Sequence, residues 1–308
     1  MTAPAQPLRL ATRRSELATT QAGWVADLLR SAGHDVDLVT IVTEGDVSAA
    51  PLTQIGGTGV FASAIRRALH DGRADLAVHS LKDLPSAPEP GLVIAAVPER
   101  EDPRDALVAR DGLTLWTLPP GARVGTGSPR RAAQLLAARE DLVVVPIRGN
   151  VPTRLAQVSS GALDAVVLAR AGLARLGRLE AVTEVLDLAD MLPAAGQGAL
   201  AIECRADRSD VLGVVQPVAD PAADAAVRAE RALLAALEAG CTAPVGAHAQ
   251  IAQSPTGIIL QLSAFVGTAD GREHLRRSHA GSPLDPEGIG AELARRLLDE
   301  GAARFTGG

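Results

Sequence analysis

Lys82 and Asp83 form the step in this chain that most invites charge-driven chemistry. Lys82 is the only lysine among 308 residues, set against 29 arginines, and it closes the run Ala74-Asp75-Leu76-Ala77-Val78-His79-Ser80-Leu81. A chain that uses arginine at every other strong cationic position, yet keeps one ammonium at a strand end, needs a compact point charge there rather than a planar fork. An isolated Lys-Asp step is ordinarily a surface ion pair of little energetic worth. The pair becomes the candidate reaction centre through its company.

That company is arginine. Arg13 and Arg14 follow a first apolar strand just before Glu16, Arg130 and Arg131 come directly after Ser128-Pro129, and Arg148-Gly149-Asn150 with Arg154 open a further helix. Cations in a first helical turn oppose the macrodipole at about 0.3–1 kcal/mol each, so something anionic should offset them. Helix N-termini and guanidinium forks both favour carboxylates or phosphates. In open α/β sheets such strand-to-helix turns line a crevice at the C-terminal edge, so the expectation is a cleft for a multiply charged anion. For any one arginine the alternative is a surface pair with Asp or Glu. Nucleotide signatures fail: the lysine is followed by aspartate, which excludes a Walker A loop, and Gly57-Thr58-Gly59-Val60-Phe61-Ala62 fits a dinucleotide fingerprint only loosely. No Gly-x-Ser-x-Gly elbow and no His-Glu-x-x-His helix occurs. Carboxylates are the expected anions.

Cys241 lies in Gly240-Cys241-Thr242-Ala243-Pro244-Val245-Gly246, just past an expected helix C-terminus, where the dipole raises a thiol pKa. It can still react with a very electrophilic partner or serve as a permanent anchor, the plain alternative being a small core residue like Cys204. Cys204, inside an apolar run, reads as a core residue. The two cysteines and six histidines never fall at metal-ligand spacing, so no metal site is expected. A net charge of −6 without a basic tail argues against nucleic acid, and 2% aromatics with no tyrosine provide little for stacking bases. The N-terminus lacks an apolar h-region and no stretch reaches the ~18 apolar residues of a spanning helix, so a cytoplasmic, membrane-free protein is expected.

The elements that must hold these residues alternate between strand and helix. A strand at Leu8–Thr12, a helix from Glu16 to Ser31 and a strand at Asp35–Val42 give a βαβ opening, which predicts a parallel sheet. Thr43–Thr53 reads as a mobile loop, and Gly56-Gly57-Thr58-Gly59 leads into a helix near Val60–His70 before the Asp75–His79 strand. A second βα unit begins near Pro103, with elements over Asp105–Ala109, Arg123–Ala138, Leu142–Ile147 and Ala165–Arg170. After Cys204 the texture changes: Asp220-Pro221 opens an alanine-rich helix that Gly240 should close, then come short strands and a last helix near Pro286–Leu298.

Taken in order, several blocks resemble the porphobilinogen deaminase family. They are Ala11-Thr12-Arg13-Arg14-Ser15, Ile55-Gly56-Gly57-Thr58-Gly59-Val60-Phe61, His79-Ser80-Leu81-Lys82-Asp83-Leu84-Pro85 and Glu99-Arg100-Glu101-Asp102-Pro103-Arg104-Asp105. Val124-Gly125-Thr126-Gly127-Ser128-Pro129-Arg130-Arg131, Leu192-Pro193-Ala194-Ala195-Gly196-Gln197-Gly198-Ala199 and the Cys241 block follow. The resemblance implies two periplasmic-binding-protein-like, doubly wound α/β domains (1–98 with 199–217, and 99–198) plus a small C-terminal α+β domain (218–308) that carries the cofactor. It implies a dipyrromethane joined to Cys241 by a thioether. Four porphobilinogen molecules would be added head to tail with loss of ammonia, and hydroxymethylbilane released by hydrolysis. Asp83 takes the position of the family's catalytic aspartate, stabilising the azafulvene cation left when ammonia departs. Such an electrophile needs little thiol activation, which suits Cys241. The resemblance assigns Lys82, Asp83, Thr126, Ser128, Arg130, Arg131, Arg148 and Gly149 to the cofactor. It assigns Arg13, Ser15, Gln21, Arg148, Arg154 and Arg175 to the substrate, in a monomer. Where many relatives carry lysines in the glycine-rich loop this chain has Gln54 and Thr58, and Arg66 or Arg67 is the expected replacement. The rival reading is a non-enzymatic two-domain protein that closes on a dicarboxylate, which explains the arginines but not Cys241 or a third domain.

Overall fold

The computed structural model describes residues 6–42, 59–239, 243–255 and 257–306. In chain order the elements begin with β1 (Leu8–Arg13), α1 (Glu16–Ser31), β2 (Val36–Ile41), α2 (Gly59–His70), β3 (Leu76–Ser80) and β4 (Leu92–Ala96). They continue with β5 (Asp105–Ala109), β6 (Arg123–Gly125), α3 (Pro129–Ala138), β7 (Val143–Val145), α4 (Val151–Ser159), β8 (Ala165–Ala169), α5 (Arg170–Arg175) and β9 (Glu184–Val185). Last come β10 (Leu200–Arg205), α6 (Ser209–Val215), α7 (Pro221–Ala236), β11 (Val245–Ser254), β12 (Gly257–Gly267), β13 (His274–Gly281) and α8 (Pro286–Asp299). The chain divides into two compact units, 1–100 with 199–224 and 101–198 with 225–308.

The first unit is one sheet in the order β2-β1-β3-β10-β4. Strand alternation sends successive side chains to opposite faces. Leu10, Leu76, Val78, Leu200 and Ile202 pack with Ala22, Val25, Ala26 and Leu29 of α1, whose buried positions recur at helical spacing. Ala11 and Ala77 face the other way and pack with Ile65, Ala68 and Leu69 of α2. Helices therefore cover both faces, as the doubly wound reading requires. The sheet is mixed, however, and not parallel. β1, β2 and β3 are parallel, but β10 runs antiparallel to both β3 and β4. Local βαβ patterning reports the crossovers it contains; β10 re-enters this unit after the whole second α/β segment, and its direction is not a local property.

The second unit repeats the design with β7-β6-β8-β5-β9, in which β5 is antiparallel to β8 and β9. Leu107, Val124, Ala165 and Val167 meet Leu135 of α3 on one face, while Ala106, Val108, Val166 and Leu168 meet Val151, Leu155 and Val158 of α4 on the other. The same unit holds the C-terminal sheet β11-β12-β13, whose core of Leu260, Leu262 and Val266 packs on Leu233, Leu293 and Leu297 of α7 and α8. Its strands are 10, 11 and 8 residues long, not short. Asp220 caps α7 by accepting from Ala222 and Ala223 N–H at 2.8 and 3.0 Å. The helix stops at Ala236, short of the expected Gly240, because the chain turns left-handed at Glu238 (φ 50).

Several polar ties dock this last sheet on its α/β neighbour. Ala247 N–H donates to Pro193 O at 2.9 Å. The fully buried Glu230 accepts from Gly196 N–H at 2.6 Å and Ala249 N–H at 2.8 Å. Arg276 donates to Leu188 O at 2.8 Å. At Gly271 (φ +71) a Cβ would lie 2.2 Å from Ala133 O and 2.6 Å from Ala137 N on α3. Gly121 (φ +75) has the same backbone conformation with nothing within 4 Å. Gly271→Ala should therefore cost about 1–3 kcal/mol more than Gly121→Ala, read as the difference between their denaturant midpoints at equal m. Equal losses would mean that backbone strain alone matters at Gly271.

Candidate active site

The candidate residues of the first unit share one sheet edge. β1 and β3 are neighbouring parallel strands, so Arg13 at the end of β1 and Ser80 at the end of β3 leave the sheet on the same side. Beyond Ser80 the chain makes a single 3-10 turn over Leu81–Asp83. Leu81 and Leu84 are buried and flank the half-buried Lys82 and Asp83, so the apolar pair anchors the turn while the charged pair stays within reach of solvent. Leu81 N–H donates to Ala199 O at 3.0 Å, and Ser80 Oγ donates to Gln21 Oε1 on α1 at 3.0 Å. Gln21 is 5% exposed and so supports the strand end that carries Asp83. Ser15 caps α1 by accepting from Ala18 N–H at 3.4 Å.

In the second unit the parallel strands β6, β7 and β8 likewise end together. Thr126 and Ser128 follow β6, Arg148 and Gly149 follow β7, and Arg175 ends α5 after β8. Ser128 accepts from Arg131 N–H at 3.4 Å to cap α3, and Asn150 accepts from Thr153 N–H at 3.0 Å to cap α4. Gly127 lets the loops after β6 and β7 touch, since a Cβ there would lie 2.6 Å from Ile147 O. Arg154 Nε donates to Gly149 O at 2.9 Å and Arg175 Nη2 to Gly198 O at 2.7 Å. Neither arginine has an ion pair with a carboxylate among the described residues. Burial and the neighbouring Arg131 hold the Arg154 guanidinium below its ordinary range; burial does the same to Arg175, opposed by Glu101. Half-buried cations of this kind fit an anionic ligand carrying several carboxylates.

Arg130 and Arg131 have a different setting. Both are 5% exposed, and their charge is met by Asp105, which is fully buried. Arg130 Nη1 donates to Asp105 Oδ2 at 2.7 Å; Arg131 donates to Oδ1 from Nε at 3.0 Å and Nη2 at 2.8 Å; Gln197 Nε2 adds a bond to Oδ1 at 2.8 Å. The anion that offsets these first-turn cations lies inside the fold. Sequence reading passed over Asp105, although a carboxylate opening the apolar run Asp105-Ala106-Leu107-Val108-Ala109 signals a buried charge that must be paired. Arg66 differs too: it is buried and ion-paired with Glu203 and Glu89, so it cannot act as a loop cation, whereas Arg67 is exposed. Gln54, Thr58 and Cys241 lie outside the described residues. Cys204 is fully buried, and burial pushes its thiol up to about 11.

Burial alone would raise the Asp105 carboxyl, but Arg130 and Arg131 outweigh it and hold it far below its ordinary value of 3.8. A depressed carboxylate contributes stability above its unfolded pKa and loses it as pH falls toward the folded value. The protein should therefore lose stability progressively below about pH 4. Asp105→Asn should cost about 3–5 kcal/mol at pH 7 by leaving two buried guanidinium groups uncompensated, and should flatten the acid limb. Thermal midpoints measured from pH 7 to pH 3 for both proteins check this.

Residues 8–213 match the model described as porphobilinogen deaminase, dipyromethane cofactor binding domain, and residues 225–299 match porphobilinogen deaminase, C-terminal domain. The chain is 55% identical over 301 residues to the porphobilinogen deaminase of Nocardia farcinica, covering 96% of this chain and 87% of that one. It is 52% identical to that of Mycobacteroides abscessus (97% and 99% covered) and 54% identical to porphobilinogen deaminase 1 of Streptomyces coelicolor (97% of each). With both family domains matched in order and about half the residues shared along nearly the whole length, this chain belongs to the porphobilinogen deaminase family.

Proposed function

We propose that the chain is a hydroxymethylbilane synthase: it joins four porphobilinogen molecules head to tail on a dipyrromethane held by Cys241, loses ammonia at each addition, and releases the linear tetrapyrrole by hydrolysis. The observation that carries the reading is Asp83, presented by a hydrogen-bonded turn at the C-terminal end of β3 in a chain of this family.

Its carboxylate stabilises the positive charge that develops on the substrate pyrrole as the amine departs. The same group can hand a proton to that amine and take one from the coupled ring. Lys82, Arg13 and Ser15 in the first unit, and Thr126, Ser128, Arg148, Gly149, Arg154 and Arg175 in the second, hold acetate and propionate groups or orient the rings. Arg154 and Arg175 suit this best, because both are half-buried and neither has an ion pair with a carboxylate among the described residues. Arg130 and Arg131 contribute through the helix N-terminus that Asp105 lets them build, and Gln21 through Ser80. Residues 218–308 form the domain that carries the attachment cysteine. The enzyme works as a monomer in the cytoplasm; no described helix is long and apolar enough to cross a membrane. A purely binding function leaves the carboxylate at the end of β3 and the family's cofactor domain without a use.

Two expectations follow. Asp83→Asn should lower turnover of porphobilinogen by at least about 100-fold while leaving the thermal midpoint close to that of the parent. Intact mass should reveal two linked pyrroles on the parent and on Cys204→Ser, but not on Cys241→Ala. The Cys204 thiol, fully buried and neutral at assay pH, offers no competing attachment point. Extra mass that persists in Cys241→Ala would remove Cys241 as the anchor.

A further inference from the structure

Strand β10 reads Leu200-Ala201-Ile202-Glu203-Cys204-Arg205, and the glutamate within it is 2% exposed. A buried carboxylate survives only if it is paired and hydrogen-bonded. Glu203 has partners from two elements. Arg66 on α2, 7% exposed, donates from Nε to both carboxylate oxygens at 3.2 and 3.1 Å and from Nη2 to Oε1 at 2.8 Å. Its Nη1 reaches Glu89 at 3.1 Å. His79 on β3, also 7% exposed, brings Nε2 within 3.2 Å of Glu203 Oε2, a close polar contact rather than an aligned hydrogen bond. Burial would raise the Glu203 carboxyl; His79 and Arg66 outweigh it and keep it below the ordinary glutamate range.

The pairing register explains why the three meet. Glu203 stands opposite Ala77, and Ala201 opposite His79. Alternation therefore places Glu203 and His79 on the face that α2 covers. Ser80 points to the other face, where it donates to Gln21 on α1, and Leu81 N–H is tied to Ala199 O at the start of β10. The end of β3 is thus gripped from both faces and along its edge, immediately before the chain turns through Leu81–Asp83. The grip on the α2 face is the charged one.

We infer that Glu203 is a positioning residue for the Lys82–Asp83 turn, acting through His79 and Arg66 to fix the strand end from which Asp83 projects. The inference rests on Asp83 being the catalytic carboxylate. Displacement of a catalytic group by about 1 Å can cost on the order of 100-fold in rate, so a clamp four residues upstream matters to chemistry and not only to stability.

A control lies at the other end of β3. Just before the first residue of β3, Asp75 accepts from Arg9 at 3.0 Å and from Arg208 at 3.1 Å, an ion-paired clamp on the opposite sheet edge. The test compares Glu203→Gln, Asp75→Asn and Asp83→Asn, each carrying the cofactor mass, by thermal midpoint and by steady-state turnover of porphobilinogen. Glu203→Gln should lower kcat about 10- to 100-fold with KM within about threefold. Asp75→Asn should lose comparable stability with kcat unchanged. His79→Leu should lower kcat in the same way, and His79→Gln, which keeps an N–H near the Nε2 position, should restore most of it; this pair decides the matter if Glu203→Gln does not fold. Full kcat in Glu203→Gln and His79→Leu while Asp83→Asn is inactive would overturn the inference and leave the functional reading standing. So would kcat losses in Glu203→Gln and Asp75→Asn that simply track stability. Turnover retained by Asp83→Asn would overturn the functional reading itself, and the inference with it.

Discussion

The second unit's arginine-rich edge depends on the carboxylate of Asp105. Two guanidinium groups at adjacent positions in the first turn of α3 repel each other and oppose the helix dipole. Placed at 5% exposure they would also lose most of their hydration. Asp105 answers all three costs by accepting from both arginines and from Gln197. Because Asp105 begins β5 and Gln197 lies in the segment returning toward β10, this one acid ties the strand, the helix N-terminus and the return segment together. Ser128 caps the same helix turn by accepting from Arg131 N–H, and Thr126 accepts from Ser128 N–H at 3.1 Å at the end of β6.

The same device recurs with different partners. Glu203 links β10 to α2 and β3 in the first unit, and Glu230 links α7 to the Gly196 turn and to β11 in the C-terminal sheet. Each sheet thus contains, or is gripped by, one nearly inaccessible acid whose hydrogen bonds reach between elements. Apolar packing makes the layers cohere, but it is non-directional. Buried hydrogen-bonded charges accept only one arrangement of their neighbours, which suits a protein that must present several cationic side chains at fixed strand ends.

Features governed by neighbouring residues were legible in the sequence. The bounds of α1, the Ser128-Pro129 start of α3 and the Asp220-Pro221 start of α7 all follow from caps and from the apolar period, whereas the roles expected of Asp83 and the individual arginines come only through the family blocks. Distant pairings were not legible. The antiparallel course of β10, the burial of Arg66 and the capture of Arg130 and Arg131 by Asp105 each require knowing which remote strand lies alongside. The end of α7 was misplaced for another reason: Gly240 looked like the stop, but a non-glycine residue, Glu238, adopts the left-handed conformation first. An acid inside an apolar run was the available clue to both Asp105 and Glu203.

The single lysine has a consequence of another kind. The Lys82–Asp83 peptide is the only bond in the chain that a lysine-specific protease can cut, and it lies in a turn held by the Leu81–Ala199 hydrogen bond and the buried Leu84 side chain. Cleavage must wait for that turn to open, so under fast reclosing its rate measures the opening free energy at this one place. The protein carries, in effect, a one-site gauge of order at the turn that ends β3, blind to fraying anywhere else along the chain.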